Sequence, residues 1–381
     1  MMASATQELH YFDTSRIARD TIAQAPIMAE VSKRTIEIYF EAFSARPQDI
    51  FFFSMELYKF VGRKSLSTLS LEQKITGTKC SRITADMILG VVCRDQITDQ
   101  GVILSFKPLR ACEKLGIFNA LKQNPLTDLY FPYPFLNAQN VEDVSPDEFW
   151  VPTPEQVSSL NAGEEHIRRY TQNILQRFNL TNMKIYDPAC STGQFLSAIK
   201  KAYPSTYCIG QDLNKQMVEY TRQNSCLDEL HEGSADVSPV ADESVDFIFF
   251  RFLNLEVVDT RLAHALFSKI ANRCKNGGHI IVLGHTPILL SAEWFERLGL
   301  VIEQTIGHDD VSVFQYYILQ KNQPVPEFHY EDFHILTSQA PMNQRCTGNP
   351  SSFFHMDGKK SSMSTDVIVP DVMPKQDNQS M

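Results

Sequence analysis

The stretch KIYDPACSTGQFLSAIKKAYPSTYCIGQDLNKQMVEY, residues 184–220, decides the fold. It predicts a short strand that ends at Asp187, a turn of small residues, a helix, and a second strand that ends at Asp212. The predicted helix carries its apolar side chains on one inner face, namely Phe195, Leu196 and Ile199. Strands and helices that alternate in this way are typical of a parallel sheet covered by helices.

The turn between the first strand and the helix restricts the class of ligand that can bind there. Small residues before a helix allow its backbone N–H groups to approach a ligand closely. A carboxylate at the tip of the second strand, here Asp212, can accept hydrogen bonds from both hydroxyls of a ribose. The dinucleotide fingerprint requires Gly where this chain has Ala189, Ser191 and Gln194, so a pyrophosphate fits poorly. The residues therefore predict an adenosine-containing cofactor without phosphates.

The segment DPACSTGQFL, residues 187–196, resembles motif I of class I S-adenosylmethionine-dependent methyltransferases. That motif places an acidic residue before small residues at alternate positions and ends them with Gly. Ala and Ser replace two of its usual three glycines here. The resemblance implies that the cofactor is S-adenosyl-L-methionine. It also implies that the turn contributes Asp187, Ala189, Ser191 and Gly193 to the cofactor site.

Further features of the same family follow in the expected order. The resemblance implies that Asp212, with Leu213 after it, binds the ribose. It implies that Asp236 accepts from the adenine amino group and that Val237 packs on the ring. The whole resemblance covers about residues 155–322 and implies a Rossmann-like, seven-stranded methyltransferase sheet that closes with an antiparallel hairpin.

The first 150 residues are predicted to form a separate, mainly helical domain. In residues 66–106, spacings of four predict one helix through Leu71 and Ile75 and a second through Ile83, Met87 and Val91. A hairpin with Gly101 at its turn follows, so the pattern predicts a winged helix. We expect it to serve dimerisation and to wall the substrate pocket. The polar segment at residues 323–381 is predicted to be a disordered tail.

Both halves together resemble small-molecule O-methyltransferases with an amino-terminal winged-helix dimerisation domain. In that group a basic residue ends the fourth strand beside the cofactor, and Arg251 matches it. A His that acts as general base follows four residues later, but this chain has Leu255 there. His285, at the end of the fifth predicted strand, is the catalytic candidate in its place. Weaker candidates are Glu256, His264, His308 and Asp309. Alternatively, alignment of the acceptor suffices and no base is needed.

Composition limits the partners. A formal net charge of −10 argues against a surface built to bind phosphate backbones, so no nucleic-acid partner is expected. No run of 18 apolar residues occurs, and the amino terminus has no apolar leader segment. The eight cysteines are spaced poorly for a zinc site and are expected to be reduced thiols. These features predict a cytoplasmic protein without a membrane partner or a metal.

The sequence thus favours transfer of a methyl group from S-adenosyl-L-methionine to a small, largely apolar metabolite, by O- or N-methylation of the kind found in secondary metabolism. A homodimer is expected. Two alternatives remain open. One is an enzyme that uses the same cofactor without methylating, such as a cyclase or decarboxylase. The other is a regulator that binds DNA through the winged helix.

Overall fold

The computed structural model describes residues 25–42, 49–64, 80–98, 101–133, 142, 144–145, 150–253 and 257–328. In these residues the chain forms a six-stranded sheet followed by a seven-stranded sheet. The sequence resemblance of residues 155–322 corresponds to the second sheet and its helices.

The seven-stranded sheet has the strand order β12-β13-β11-β10-β7-β8-β9. Neighbouring strands run parallel from β9 to β11, whereas β13 is antiparallel to both β11 and β12. The strands are β7 Lys184–Asp187, β8 Tyr207–Asp212, β9 Glu229–Glu232, β10 Val245–Arg251, β11 Cys274–Leu283, β12 Val301–His308 and β13 Val313–Gln320. The helices are α3 Pro154–Leu175, α4 Gln194–Ala202, α5 Lys215–Asn224, α6 Thr260–Ala271 and α7 Ala292–Arg297.

This sheet confirms the predicted methyltransferase fold with its closing antiparallel hairpin. The predicted inner face of α4 is buried, since Phe195, Leu196 and Ile199 are each at most 1% exposed. The central strand β10 is apolar on both faces, as expected for a strand covered by helices on both sides. The carboxyl ends of β7, β8 and β10 therefore meet at one edge of the sheet, where open α/β sheets bind ligands.

The amino-terminal part is a six-stranded antiparallel sheet with the order β1-β5-β4-β3-β2-β6. Helix α1, Ala25–Val31, and helix α2, Ala111–Gln123, accompany it. The strands are β1 Glu37–Ala42, β2 Ile50–Met55, β3 Tyr58–Arg63, β4 Ile88–Ile97, β5 Gly101–Pro108 and β6 Leu129–Tyr130.

The predicted winged helix is wrong where the structure describes it. Ile83 forms a bridge with Val313, and Val91 lies in β4 rather than in a second helix. Residues four apart share a face in a strand as well as in a helix, so the spacing alone could not separate the two. The predicted hairpin is present as β4 and β5, with Gly101 beginning β5. Leu71 and Ile75 lie outside the described residues.

The two sheets are held together by polar and apolar contacts. The Gln315 side chain donates to the Leu129 carbonyl at 2.9 Å, and the Tyr317 hydroxyl donates to Asp128 at 2.7 Å. Ile306 and Val313 pack within the core of the amino-terminal sheet. The Ile83–Val313 bridge and the hydrogen bond from the Ser81 N–H to the His285 carbonyl bring the segment around Cys80 to the carboxyl edge of the second sheet.

Ordered contacts continue past residue 322, where the predicted tail begins. Val325 is buried, and its backbone exchanges hydrogen bonds with the Asn272 side chain at 2.8 and 2.9 Å. The packed part of the chain therefore includes the first residues of the predicted tail. Residues 329–381 lie outside the described residues.

Candidate active site

The turn after β7 has a backbone conformation that ordinarily favours glycine. Ser191 has φ 53° and Gly193 has φ 68°, both in the left-handed region. A Cβ on Gly193 would lie 2.4 Å from Cγ2 of Thr221, so only glycine fits there. Ser191 is held by its backbone, because its N–H donates to Asp212 at 2.8 Å and its carbonyl accepts from the Thr221 hydroxyl at 2.7 Å. The serine that replaces a motif glycine is thus anchored on both sides.

The Asp212 carboxylate is fixed at the tip of β8. One oxygen accepts from the Ser191 N–H at 2.8 Å, and the other accepts from the Asn214 N–H at 2.9 Å. The side chain is only partly buried, and Leu213 beside it is 54% exposed. A carboxylate oxygen has two acceptor sites, so it can accept a ligand hydroxyl as well as a backbone N–H.

Gln211 connects the strand tip to the loop that carries the predicted adenine-binding residues. Its side-chain amide donates to the carbonyls of Gly233, Ser234 and Val237, at 3.1, 2.9 and 3.2 Å. Its side-chain oxygen accepts from the Tyr186 hydroxyl. Asp236 and Val237 lie on this loop and are exposed. The sequence analysis missed Gln211, although a polar residue inside an apolar strand was a signal for it.

Arg251 lies in a buried ion-pair network with two carboxylates. Its Nε donates to Asp187 at 2.7 Å and its Nη1 to Glu164 of α3 at 2.9 Å. The guanidinium also lies 4.2 Å from the centre of the Phe195 ring. Ala189 donates its backbone N–H to Asp187 at 3.1 Å. Asp187, Ala189 and Arg251 are therefore brought together, and the sequence analysis missed Glu164.

The network carries two acidic groups for one basic group. Burial raises the pKa of Asp187 to about 6, although the charge of Arg251 opposes the shift. An excess of carboxylates in a buried site favours a cationic ligand, because an added positive charge offsets their mutual repulsion. S-adenosyl-L-methionine carries a sulfonium and an ammonium group, so the charge of this network suits it.

His285 follows the end of β11, next to this network. A Cβ on Gly163 of α3 would lie 3.6 Å from Nδ1 of His285, and the next residue of α3 is Glu164, the partner of Arg251. Gly163 and Glu164, which are consecutive in α3, therefore lie against His285 after β11 and Arg251 at the end of β10. The His285 carbonyl also accepts the backbone N–H of Ser81 at 2.9 Å, which joins it to the amino-terminal part.

The other predicted candidates divide into three groups. Leu255 and Glu256 lie outside the described residues. His264 is 5% exposed in α6, where its Nδ1 lies 2.6 Å from the Thr260 carbonyl oxygen and burial lowers its pKa to about 4, so it is a core residue. Asp309, next to His308, accepts from the Arg82 guanidinium at 2.5 Å between the two sheets.

Cys190 of the turn is packed rather than reactive. It is 1% exposed, and burial raises the pKa of its thiol. Its Sγ lies 3.0 Å from the position that a Cβ on Gly210 would occupy. The thiol therefore fills space beneath the turn and holds no thiolate at neutral pH.

Comparisons with known proteins show the family. A family model described as "Methyltransferase domain" matches residues 185–278, which include the turn, Asp212 and Arg251. The chain is thus an enzyme of the S-adenosylmethionine-dependent methyltransferase class, with S-adenosyl-L-methionine as its cofactor. It belongs to the same family as isonocardicin synthase from Nocardia uniformis subsp. tsuyamanensis. The two are 35% identical over 305 residues, which cover 78% of this chain and 99% of that relative.

Two solved structures each resemble less than half of this chain. A SAM-dependent methyltransferase from Aquifex aeolicus is 16% identical with a TM-score of 0.35, covering 44% of this chain and 98% of that one. One from Leishmania major is 14% identical with a TM-score of 0.35, covering 46% of this chain and 81% of that one.

The described residues lack two further features. No helix there is long and apolar enough to cross a membrane. Within those same ranges, no group of three or more His, Cys, Asp or Glu side chains is arranged to hold a metal ion.

Replacing Asp212 with alanine should weaken cofactor binding by about tenfold or more, because each lost hydrogen bond to a charged group contributes roughly 1.5 to 3 kcal/mol. Calorimetry with S-adenosyl-L-homocysteine would measure the dissociation constant. Asp228→Ala is the matched control, since Asp228 also accepts a backbone N–H of β8, that of Cys208 at 2.7 Å, but at the opposite end of the strand. Equal dissociation constants for both variants would place the ribose elsewhere.

Proposed function

We propose that the protein transfers the methyl group of S-adenosyl-L-methionine to an oxygen or nitrogen of a small, largely apolar metabolite. The observation that carries the proposal is the convergence of the Asp212 carboxylate, the anchored turn at Ser191 and the acidic network around Arg251 at one sheet edge. When bound, the cofactor supplies an electrophilic methyl group on a positively charged sulfur.

The residues of the chain have separate roles in this proposal. Asp212 and Leu213 hold the ribose, and Asp236 and Val237 hold the adenine on the loop that Gln211 fixes. The turn at Ala189, Ser191 and Gly193 allows the cofactor to approach the backbone closely. Asp187 acts through Arg251 and Ala189, because it is fully buried and has no exposed surface of its own.

His285 is proposed to act on the acceptor. Its ring lies against α3 beside the network, at the carboxyl edge where the acceptor must approach, and it is only partly buried. A neutral imidazole placed there can act as a general base. Mass spectrometry of products from a panel of small phenols and amines tests the function, and a gain of one methyl group is the expected result.

A second candidate is supported by the name of the relative. It is called a synthase rather than a methyltransferase. That name agrees with the alternative of an enzyme that binds the same cofactor without methylating. Cofactor-dependent turnover with any mass change other than one methyl group would favour this alternative. No motif now supports the DNA-binding alternative, because part of the second helix of the predicted winged helix is strand β4.

We also propose that the protein is a homodimer formed through its amino-terminal sheet. Strand β1, at one end of the described sheet, and the residue just before it expose apolar side chains. Ile36 is 48% exposed, Ile38 75% and Phe40 48%. Exposed apolar residues in one patch favour a protein partner, and most soluble oligomers are symmetric dimers. Light scattering should give twice the chain mass, and Ile38→Lys should shift it toward the monomer. A monomer at micromolar concentration in the unmutated protein would count against the proposal.

A further inference from the structure

Phe252, directly after β10, has a backbone conformation that an aromatic residue rarely adopts. Its φ is 57°, in the left-handed region, and the Leu253 N–H donates to the Arg251 carbonyl across it at 2.7 Å. A three-residue turn of this kind is rare and strained. Four other residues besides glycine have a positive φ in the described part of the chain, and all four are polar: Glu56, Asn182, Ser191 and Glu243. Phe252 is the bulky apolar residue among the five, and for such a residue this conformation is an outlier.

The residues on either side of Phe252 hold the turn in place. Arg251 is 1% exposed and forms ion pairs with Asp187 and Glu164. Leu253 is 5% exposed within the core of the second sheet. Phe252 itself is only partly buried, although a glycine would adopt its φ without strain. Strained residues of this kind cluster at functional sites, so the ring of Phe252 is a candidate for contact with a ligand.

The ring of Phe252 lies against the same guanidinium as the ring of Phe195. Cζ of Arg251 lies 4.8 Å from the centre of the Phe252 ring and 4.2 Å from the centre of the Phe195 ring. Both distances are within the range of a cation–π contact. Phe195 is 1% exposed in α4, whereas Phe252 is partly exposed at the carboxyl edge of the sheet. Of these two residues, Phe252 is therefore the one that a ligand can reach.

We propose that an aromatic acceptor packs on the Phe252 ring, and that this contact makes the site prefer flat aromatic acceptors over saturated ones of similar size. The charge of the network around Arg251 suits the sulfonium and ammonium groups of the cofactor, so a ring in contact with Arg251 lies near the reacting end. Two aromatic rings attract each other beyond the effect of buried area, whereas a saturated ring gains only the buried area. This inference rests on the proposed function and deepens it, because it names the class of acceptor and a residue that positions it.

The strain at Phe252 is tested by the stability of two variants. Phe252→Gly and Phe252→Ala both remove the ring, but glycine adopts a φ of 57° freely and alanine does not. The glycine variant should therefore melt about 2 to 4 °C above the alanine variant. The opposite order would show that residue 252 is not left-handed in solution and would overturn the placement of the ring.

The preference for aromatic acceptors is tested by binding without transfer. The full chain is saturated with S-adenosyl-L-homocysteine, and calorimetry gives the dissociation constants of 2-naphthol and of its saturated analogue 2-decalol. Stacking of two rings contributes about 2- to 12-fold in affinity beyond burial, so the preference for 2-naphthol should fall by that factor in Phe252→Leu. Leucine keeps an apolar side chain beside Arg251 but has no ring. Phe252→Tyr keeps the ring and should keep the preference.

Phe195→Leu is the matched control, because it removes the other ring from the same guanidinium at a buried position. It should lower the melting temperature and leave the preference for 2-naphthol as in the unmutated protein. Equal loss of the preference in Phe195→Leu and Phe252→Leu would overturn the proposal, since it would assign the effect to the position of Arg251. An unchanged preference in Phe252→Leu, or no binding of either compound at about 1 mM, would overturn it as well.

Mass spectrometry of the same compounds after incubation with S-adenosyl-L-methionine separates this inference from the proposed function. A preference for 2-naphthol that depends on Phe252, with no methyl group transferred, would contradict the proposed function and support the role of Phe252 in binding. Methyl transfer to 2-naphthol with the same KM and kcat in Phe252→Leu and in the unmutated protein would support the proposed function and overturn the role of Phe252. The expected result is a higher KM for 2-naphthol in Phe252→Leu and an unchanged dissociation constant for S-adenosyl-L-homocysteine.

Discussion

Replacing His285 with alanine is expected to lower turnover by about 10²- to 10⁴-fold, since that is the usual contribution of a positioned general base. The ring lies at the carboxyl edge of the sheet beside α3, whereas the turn after β7 is contacted by Asp187 of β7, Asp212 of β8 and Thr221 of α5. The dissociation constant for the cofactor should therefore remain nearly constant. Steady-state kinetics on the phenol that is used best, together with calorimetry, would measure both quantities.

His279→Ala is the matched control for this prediction. His279 lies on the same strand, β11, but its ring packs against Phe178 and Phe247, and its Nε2 lies 3.5 Å from Glu303. Its removal should lower the melting temperature and leave turnover per folded molecule unchanged. If His285→Ala keeps more than about half of the activity, alignment of the acceptor carries the reaction without this base.

The sheet edge of the second domain could be predicted because its signals are local. Asp187 and Asp212 end strands whose apolar residues are continuous in sequence, and both strand ends are observed where the sequence places them. The small-residue turn lies directly between them. The local pattern therefore predicted the strand ends and the fold, and the resemblance predicted the cofactor. The residues proposed to bind the cofactor lie near one edge of the sheet.

The partners across the sheet edge could not be predicted because they come from distant parts of the chain. Glu164 meets Arg251 across 87 positions, and nothing in the sequence of α3 distinguishes it from a solvated acidic residue. The Ser81 N–H reaches the His285 carbonyl only because the amino-terminal part packs on β13. The same limit explains the error in that sheet: a spacing of four residues fits a helix or a strand, and the strands that pair with β4 decide which one forms.

Arg251→Met should lower the free energy of unfolding by roughly 3 to 5 kcal/mol, because it leaves Glu164 and Asp187 buried without their common cation. The side chain of methionine fills much of the same space, so the loss reports mainly on charge. Denaturant unfolding followed by circular dichroism would measure it. Arg297→Met is the control, since Arg297 forms an exposed pair with Glu293 on α7 and its removal should cost about 1 kcal/mol or less.

The loss of unfolding free energy in Arg251→Met should increase as pH rises. Burial already raises the pKa of Asp187 to about 6 against the opposing charge of Arg251, so removing that charge raises the pKa further. The folded variant then binds more protons than the unfolded chain above the ordinary carboxyl pKa, and its stability falls as pH rises. The destabilisation should therefore be smaller at about pH 5 than at about pH 8. A loss that is equal at both values, or no larger than that of Arg297→Met, would mean that water or another cation already neutralises the two carboxylates and that Arg251 is not their partner in solution.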